Sequence, residues 1–164
     1  MLRKQLIPTP TRTGARGARR AADAKDIPAL ATVLVTSESP DHPVDHLFGG
    51  DDGPGGARWI ASVDGEQSVI LAFDAPQTIR EVSLEVEEPH VSRTQVLTLS
   101  LSRDGGGAYR ELLRQEFNFS PPGTTFQREV WNVPAEGVTH LRLTIEPDKG
   151  GMPCRATLTS LAIR

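Results

Sequence analysis

The residues best suited to chemistry lie in stretches that no regular element can cross. His42, Asp45, His46, Asp51, Asp52 and Arg58 fall within residues 41–58, interleaved with Gly49, Gly50, Gly53, Gly55 and Gly56. His42 and His46 are four apart beside Asp45, a spacing that on a helix would offer two imidazoles to a metal ion. Pro43 stands between them and argues against a helix, so solvated loop histidines are the expected reading and no metal is assigned. His90 and Arg93 sit in a second loop, and Asp148, Lys149 and Arg155 in a third. A guanidinium can bond the hydroxyls or carboxylates of a ligand, or it can pair with neighbouring acids; both readings of Arg58, Arg93 and Arg155 stay open.

Catalytic arrangements are missing from the pattern. Glycoside hydrolysis asks for two carboxylates facing each other across a cleft, and Asp51 and Asp52 are sequence neighbours instead. Cys154 has no evident base partner, the serines lack a nucleophile elbow, and neither a P-loop nor a dinucleotide fingerprint occurs. The chain is expected not to be an enzyme.

These loops must be held by strands. Leu97, Leu99 and Leu101 alternate with Thr98, Ser100 and Ser102, a period of two that marks a half-buried strand. Asp104-Gly105-Gly106-Gly107 then reverses the chain, because glycine reaches positive φ without a Cβ clash. A partner strand with Tyr109, Leu113, Phe117 and Phe119 completes a hairpin, expected to be central. Further strands are expected at 32–35, 59–62, 68–73, 82–86, 126–133, 141–145 and 156–163. The apolar run 68–73 reads as covered on both faces, and Ile79, out of phase with Val82, Leu84 and Val86, predicts a bulge.

Eight or nine strands with such spacing predict an all-β sandwich. If successive strands alternate in direction, the tight turns 74–77, 103–108 and 134–137 fall at one end. The long loops 38–67, 87–94, 120–126 and 147–156 fall together at the other. His42, His46, Asp51, Asp52, Arg58, His90, Arg93 and Arg155 all belong to that long-loop end and form the candidate ligand set.

Composition sets the outer limits. With 15 Gly and 13 Pro in 164 residues, short strands suit the chain better than long helices. Residues 1–29 carry seven basic against two acidic side chains, so this arm is at +5 and the body, in a chain of net charge −3, is at −8. An acidic body is ill suited to phosphate contacts, which leaves nucleic acid a role only through the arm. One cysteine allows no internal disulfide, and no apolar run approaches the length of a membrane span. Without an apolar signal segment the expected location is cytoplasmic.

An ordered set of motifs resembles the discoidin, or coagulation-factor type C, domain of the galactose-binding-like superfamily. Thr36-Ser37-Glu38 precedes Pro43-Val44-Asp45-His46-Leu47-Phe48-Gly49-Gly50-Asp51, then Arg58-Trp59-Ile60-Ala61-Ser62 resembles the Trp-x-Ser element. Ser100-Leu101-Ser102-Arg103-Asp104-Gly105-Gly106 with Tyr109 resembles Ser-x-Asp-Gly-x-x-aromatic, and Leu141-Arg142-Leu143 and residues 158–163 resemble the closing strands. The resemblance covers residues 31–164 and implies a jelly-roll β-sandwich that binds rather than catalyses. Domains follow as a basic N-terminal arm, 1–29, expected to be flexible and solvated, and a discoidin-like binding domain, 30–164.

Family members bind sugars, lipid head groups or proteins. A carbohydrate ligand at the long-loop end is the leading expectation, and a protein partner in a cytoplasmic assembly the alternative. The chain departs from the family where calcium-holding members place a glutamate in the last strand, since Thr159-Ser160 stands there. Structural calcium is therefore doubtful, although Asp45, Asp51 and Asp52 offer oxygens. Trp59 is expected in the core, with sugar stacking as its alternative role.

Overall fold

The computed structural model describes residues 2–6, 23–50 and 53–164. Its strands are β1 (Arg3–Leu6), β2 (Ala31–Val35), β3 (Trp59–Ile60), β4 (Gln67–Glu87), β5 (Arg93–Ser102), β6 (Arg110–Phe119), β7 (Phe126–Glu146), β8 (Thr157–Leu158) and β9 (Ser160–Ile163). Helix α1 (Ile27–Leu30) and a 3-10 turn (Val44–Phe48) are the helical pieces among the described residues.

The strands order as β1-β2-β4-β7-β5-β6, with β9 added on β4 and β3 paired to β8. The axis of the molecule is the β4–β7 pair, which runs antiparallel from Gln67↔Ile145 to Glu87↔Phe126. Its register shifts between Ala72 and Glu81, so both strands bend together and pass from one layer of the sandwich to the other. Pro76 and Pro134 sit near this bend, where a missing N–H costs no regular ladder bond. Segments 74–77 and 134–137, expected as turns between separate strands, are thus parts of two 21-residue strands. The bulge expected at Ile79 is one of these shifts.

One layer holds β1, β2, the first part of β4, the last part of β7, β5 and β6. The other holds the second part of β4, the first part of β7 and β9, with Val82↔Ile163 and Leu84↔Leu161 in register. Val69, Leu71, Leu97, Leu99, Leu141 and Leu143 face Val82, Leu84, Val86, Leu161 and Ile163 in a single buried cluster. Ile70 and Ala72 are only half-buried, so the run 68–73 is covered on one face and not on two. The β5–β6 hairpin, expected at the centre, forms the sheet's edge, because β7 occupies the place between β4 and β5.

Both described parts of the basic segment pack on the sandwich. β1 lies parallel to β2 with Arg3↔Thr32 and Leu6↔Val35 in register, and Leu2 is buried. Ile27 is fully buried, Arg3 pairs with Asp74, and Arg164 Nε donates to Asp23 Oδ1 at 2.8 Å. The remainder of the expected arm, residues 7–22, lies outside the described residues.

Candidate functional site

Strand register fixes which loops meet. Val35↔Val69, Gln67↔Ile145, Val96↔Glu146 and Arg93↔Phe119 place segments 36–66, 88–92, 120–125 and 147–156 at one end of the sandwich. Hydrogen bonds then knit them. Glu88 N donates to Thr125 O (2.7 Å), Lys149 N to Thr94 O (2.7 Å) and Gly65 N to Cys154 O (3.2 Å).

The acidic end of β4 anchors this cluster. Glu85 Oε2 accepts Gly53 N at 2.8 Å and Glu87 Oε2 accepts Gly55 N at 2.9 Å, holding the glycine-rich loop down. Arg128 Nε lies 3.4 Å from the buried Glu85 carboxylate. Between β8 and β9, Thr159 N donates to Glu85 O, and its hydroxyl accepts Glu87 N at 3.1 Å. Asp148 carries the opposite loop: Oδ1 accepts Thr94 N (3.2 Å) and Oδ2 accepts Met152 N (3.0 Å). Those backbone donors, Met152 first, hold the Asp148 carboxyl below the usual range.

The expected ligand residues divide into two groups. Arg93 is buried and structural: it pairs with Glu88 at 2.7 Å and donates to Pro147 O (3.1 Å) and Arg155 O (2.7 Å). His46 Nδ1–H is aimed at Arg58 O, 2.9 Å away, and Arg58 Nη1 donates to Glu87 O at 3.0 Å. These side chains shape the loops. His42, half-buried, and His90 and Arg155, both exposed, have no side-chain partner among the described residues. Met152, 41% exposed, and Val63, 54% exposed, belong to the segments 147–156 and 36–66, which the Gly65–Cys154 bond joins. Asp51 and Asp52 lie outside the described residues.

Asp45 is committed to Lys4, and the Thr159 hydroxyl to Glu87 N, while a hard cation needs several oxygens converging at once. Among the described residues no group of three or more His, Cys, Asp or Glu could hold a metal, and Asp51 and Asp52 lie outside them. Trp59 is fully buried and donates from Nε1 to Ser37 O at 3.0 Å, which makes it a core residue and no stacking platform. Sequence reasoning missed Lys4 and the anchoring role of Glu85, Glu87 and Glu88. Three acids closing a strand beside a glycine-rich loop were the available signal for the latter.

No family model matches the sequence, and no curated protein matches it. Solved structures do match. CpGH89CBM32-5 from Clostridium perfringens, in complex with GalNAc-beta-1,3-galactose, superposes with a TM-score of 0.56 at 19% identity, over 86% of this chain and 99% of that chain. The family 32 module of C. perfringens NanJ, in complex with galactose, gives 0.57 at 14% identity, over 85% and 96%. CBM32-3 from a family 31 glycoside hydrolase of the same organism gives 0.61 at 16% identity, over 85% and 93%. The jelly-roll sandwich implied by the discoidin resemblance is thus present, and the fold of this chain is that of the family 32 carbohydrate-binding modules.

Proposed function

We propose that this chain is a non-catalytic carbohydrate-binding module whose sugar sits among the long loops. One observation carries the reading: the loop end is braced from within while three polar side chains have no side-chain partner among the described residues. The Arg93–Glu88 pair and the Asp148 turn fix the backbone. His42, His90 and Arg155 remain available to hydroxyls, and Met152 and Val63 expose apolar area on two of the same loop segments. A preorganised loop end spends little ordering entropy on binding, which favours recognition of a small polar ligand.

The structural relatives support the choice of ligand class. They include modules in complex with galactose and with 4,5-unsaturated mannuronic acid, and a chitosan-binding module from Paenibacillus sp. IK-5. The match to SpGH29 covers 27% of that chain, so the same sandwich also occurs as one part of a larger protein. A glycan array probed with the full chain tests the proposal. Retention of one sugar class, lost on Arg155→Ala with an unchanged melting temperature, is the expected result. Absence of any glycan binding would overturn it.

A further inference from the structure

The opposite end of the sandwich carries a second constellation that the loop-end reading does not use. Where β5 turns into β6, Leu101, Arg103, Asp104, Ala108, Tyr109 and Arg110 line an open concavity of about 310 Å³. Its shape is set by the hairpin. Asp104 Oδ1 accepts Ser102 Oγ–H (2.6 Å) and Ala108 N–H (2.9 Å), so this carboxylate is occupied in closing the turn. Gly106, at φ +86°, lies so close to His140 and the Tyr109 hydroxyl that a Cβ would stand 3.3–3.4 Å from them.

Three arginines surround one half-exposed aromatic ring. Arg142 stacks over Tyr109 with its guanidinium carbon 3.9 Å from the ring centroid, and its buried Nε has no hydrogen-bond partner among the described residues. Arg103 is fixed by its Nε bond to Glu136 O (2.7 Å), which leaves its terminal nitrogens without an acceptor among the described residues. Arg110 is exposed and has no partner there either. The Tyr109 hydroxyl has no hydrogen-bond partner among the described residues, and burial pushes its pKa above the usual value, so it stays a protonated donor at neutral pH.

We propose that this hairpin end is a second ligand site, for a sugar residue bearing a carboxylate, separate from the site among the long loops. An aromatic ring offers apolar area and a hydroxyl to a sugar, and guanidinium forks match a carboxylate in bidentate geometry. The lining carries two arginines against one aspartate already engaged by the turn, with Arg142 adjoining, so the local charge selects an anionic residue over a neutral one. The proposal shares with the preceding one the premise that the chain binds sugar, but none of its residues.

The test is a titration of the isotope-labelled full chain, followed by amide resonances, with trigalacturonate and separately with neutral galactotriose. Trigalacturonate should shift residues 101–110 and Arg142, and galactotriose should leave them unmoved. Arg110→Ala, which removes no side-chain hydrogen bond or ion pair among the described residues, should weaken the trigalacturonate response about tenfold, the loss expected for one charge-assisted hydrogen bond. Tyr109→Phe should weaken it less, since the ring remains. Arg155→Ala should leave it intact. Trigalacturonate shifts confined to the long-loop end, an unchanged response in Arg110→Ala, or no trigalacturonate binding would each overturn the hairpin site. Failure of galactotriose to move His42, His90 or Arg155 would count against the loop-end site alone.

Discussion

Arg93 and Glu88 form an ion pair at 2.7 Å with side chains only 3% and 9% exposed, and through it β5 is tied to the end of β4 beneath the long loops. The same guanidinium bonds the carbonyls of Pro147 and Arg155, while Glu88 Oε2 accepts His90 N at 3.1 Å. Truncating one member leaves the other charge buried and alone. Arg93→Ala should therefore cost about 3–5 kcal/mol of stability, read as a fall in the urea midpoint. Sequence position alone leaves this guanidinium open between a ligand contact and a pairing with neighbouring acids, and the burial of both charges decides for the second.

Lys4 should behave in the same way. Its side chain is 4% exposed, and its ammonium lies 3.0 Å from Glu38 Oε1 on the loop that precedes the 3-10 turn and also pairs with Asp45 within the turn itself. Lys4→Ala would strand two carboxylates in a site that water hardly reaches, at a cost of about 3–5 kcal/mol. Deleting residues 1–29 removes this pair, the β1–β2 ladder and the buried Ile27 together. Calorimetry of that truncation should show a clearly lower melting temperature, against the near-invariance that a solvated arm would give.

The sandwich was legible because its signals are local. Alternating leucines and Gly-Pro punctuation act within ten residues, and chain parity then placed the long loops at one end, as the register does. What stayed hidden depends on partners far apart in sequence. Lys4 reads as one more cation of a basic segment until β1 is set beside β2 and brings it to Glu38 and Asp45. Arg93 and Arg155 look alike in the sequence, yet one is buried and the other exposed, since only Arg93 begins a strand that faces Glu88. The continuity of β4 and β7 through Pro76 and Pro134 was masked by residues that ordinarily end strands.

For a neutral sugar at the loop end, Arg155→Ala should lower affinity by roughly one to two decades, the range for a hydrogen bond to a charged group. Its guanidinium has no partner among the described residues, so stability should be unchanged. Arg58→Ala should lower affinity and stability together, because Arg58 Nη1 also holds Glu87 O at 3.0 Å. Arg110→Ala should be silent toward a neutral sugar. Isothermal titration with each variant checks all three.

Trp59→Ala separates core from platform. The indole is 0% exposed, its Nε1 donates to Ser37 O, and its carbonyl accepts the Thr157 hydroxyl at 2.9 Å. A cavity of that size should cost about 3–5 kcal/mol. Below its lowered melting temperature the variant should still bind sugar; loss of binding in a protein that melts normally would make Trp59 a stacking residue.

Acid should loosen the loop end before it loosens the core, and Asp148 gives the reason. Its folded-state pKa lies below the unfolded value because two backbone N–H groups, Met152 and Thr94, are bonded to the ionised form. A depressed carboxyl contributes stability that is complete above the unfolded value, about 3.9, and is lost as pH falls through the lower folded value. Between pH 7 and 5 the contribution should be constant. Below about pH 4 the turn over residues 148–152 should lose protection, because the protonated carboxyl accepts hydrogen bonds more weakly. Asp148→Asn should reproduce that state at neutral pH, since the amide keeps an acceptor but not the charge. Hydrogen exchange at the Thr94 and Met152 amides reads both cases against Leu99 and Leu143 in the core. Faster exchange at Thr94 and Met152 alone is expected, and equal protection in wild type and Asp148→Asn at pH 7 would show that the charge does not hold the loop.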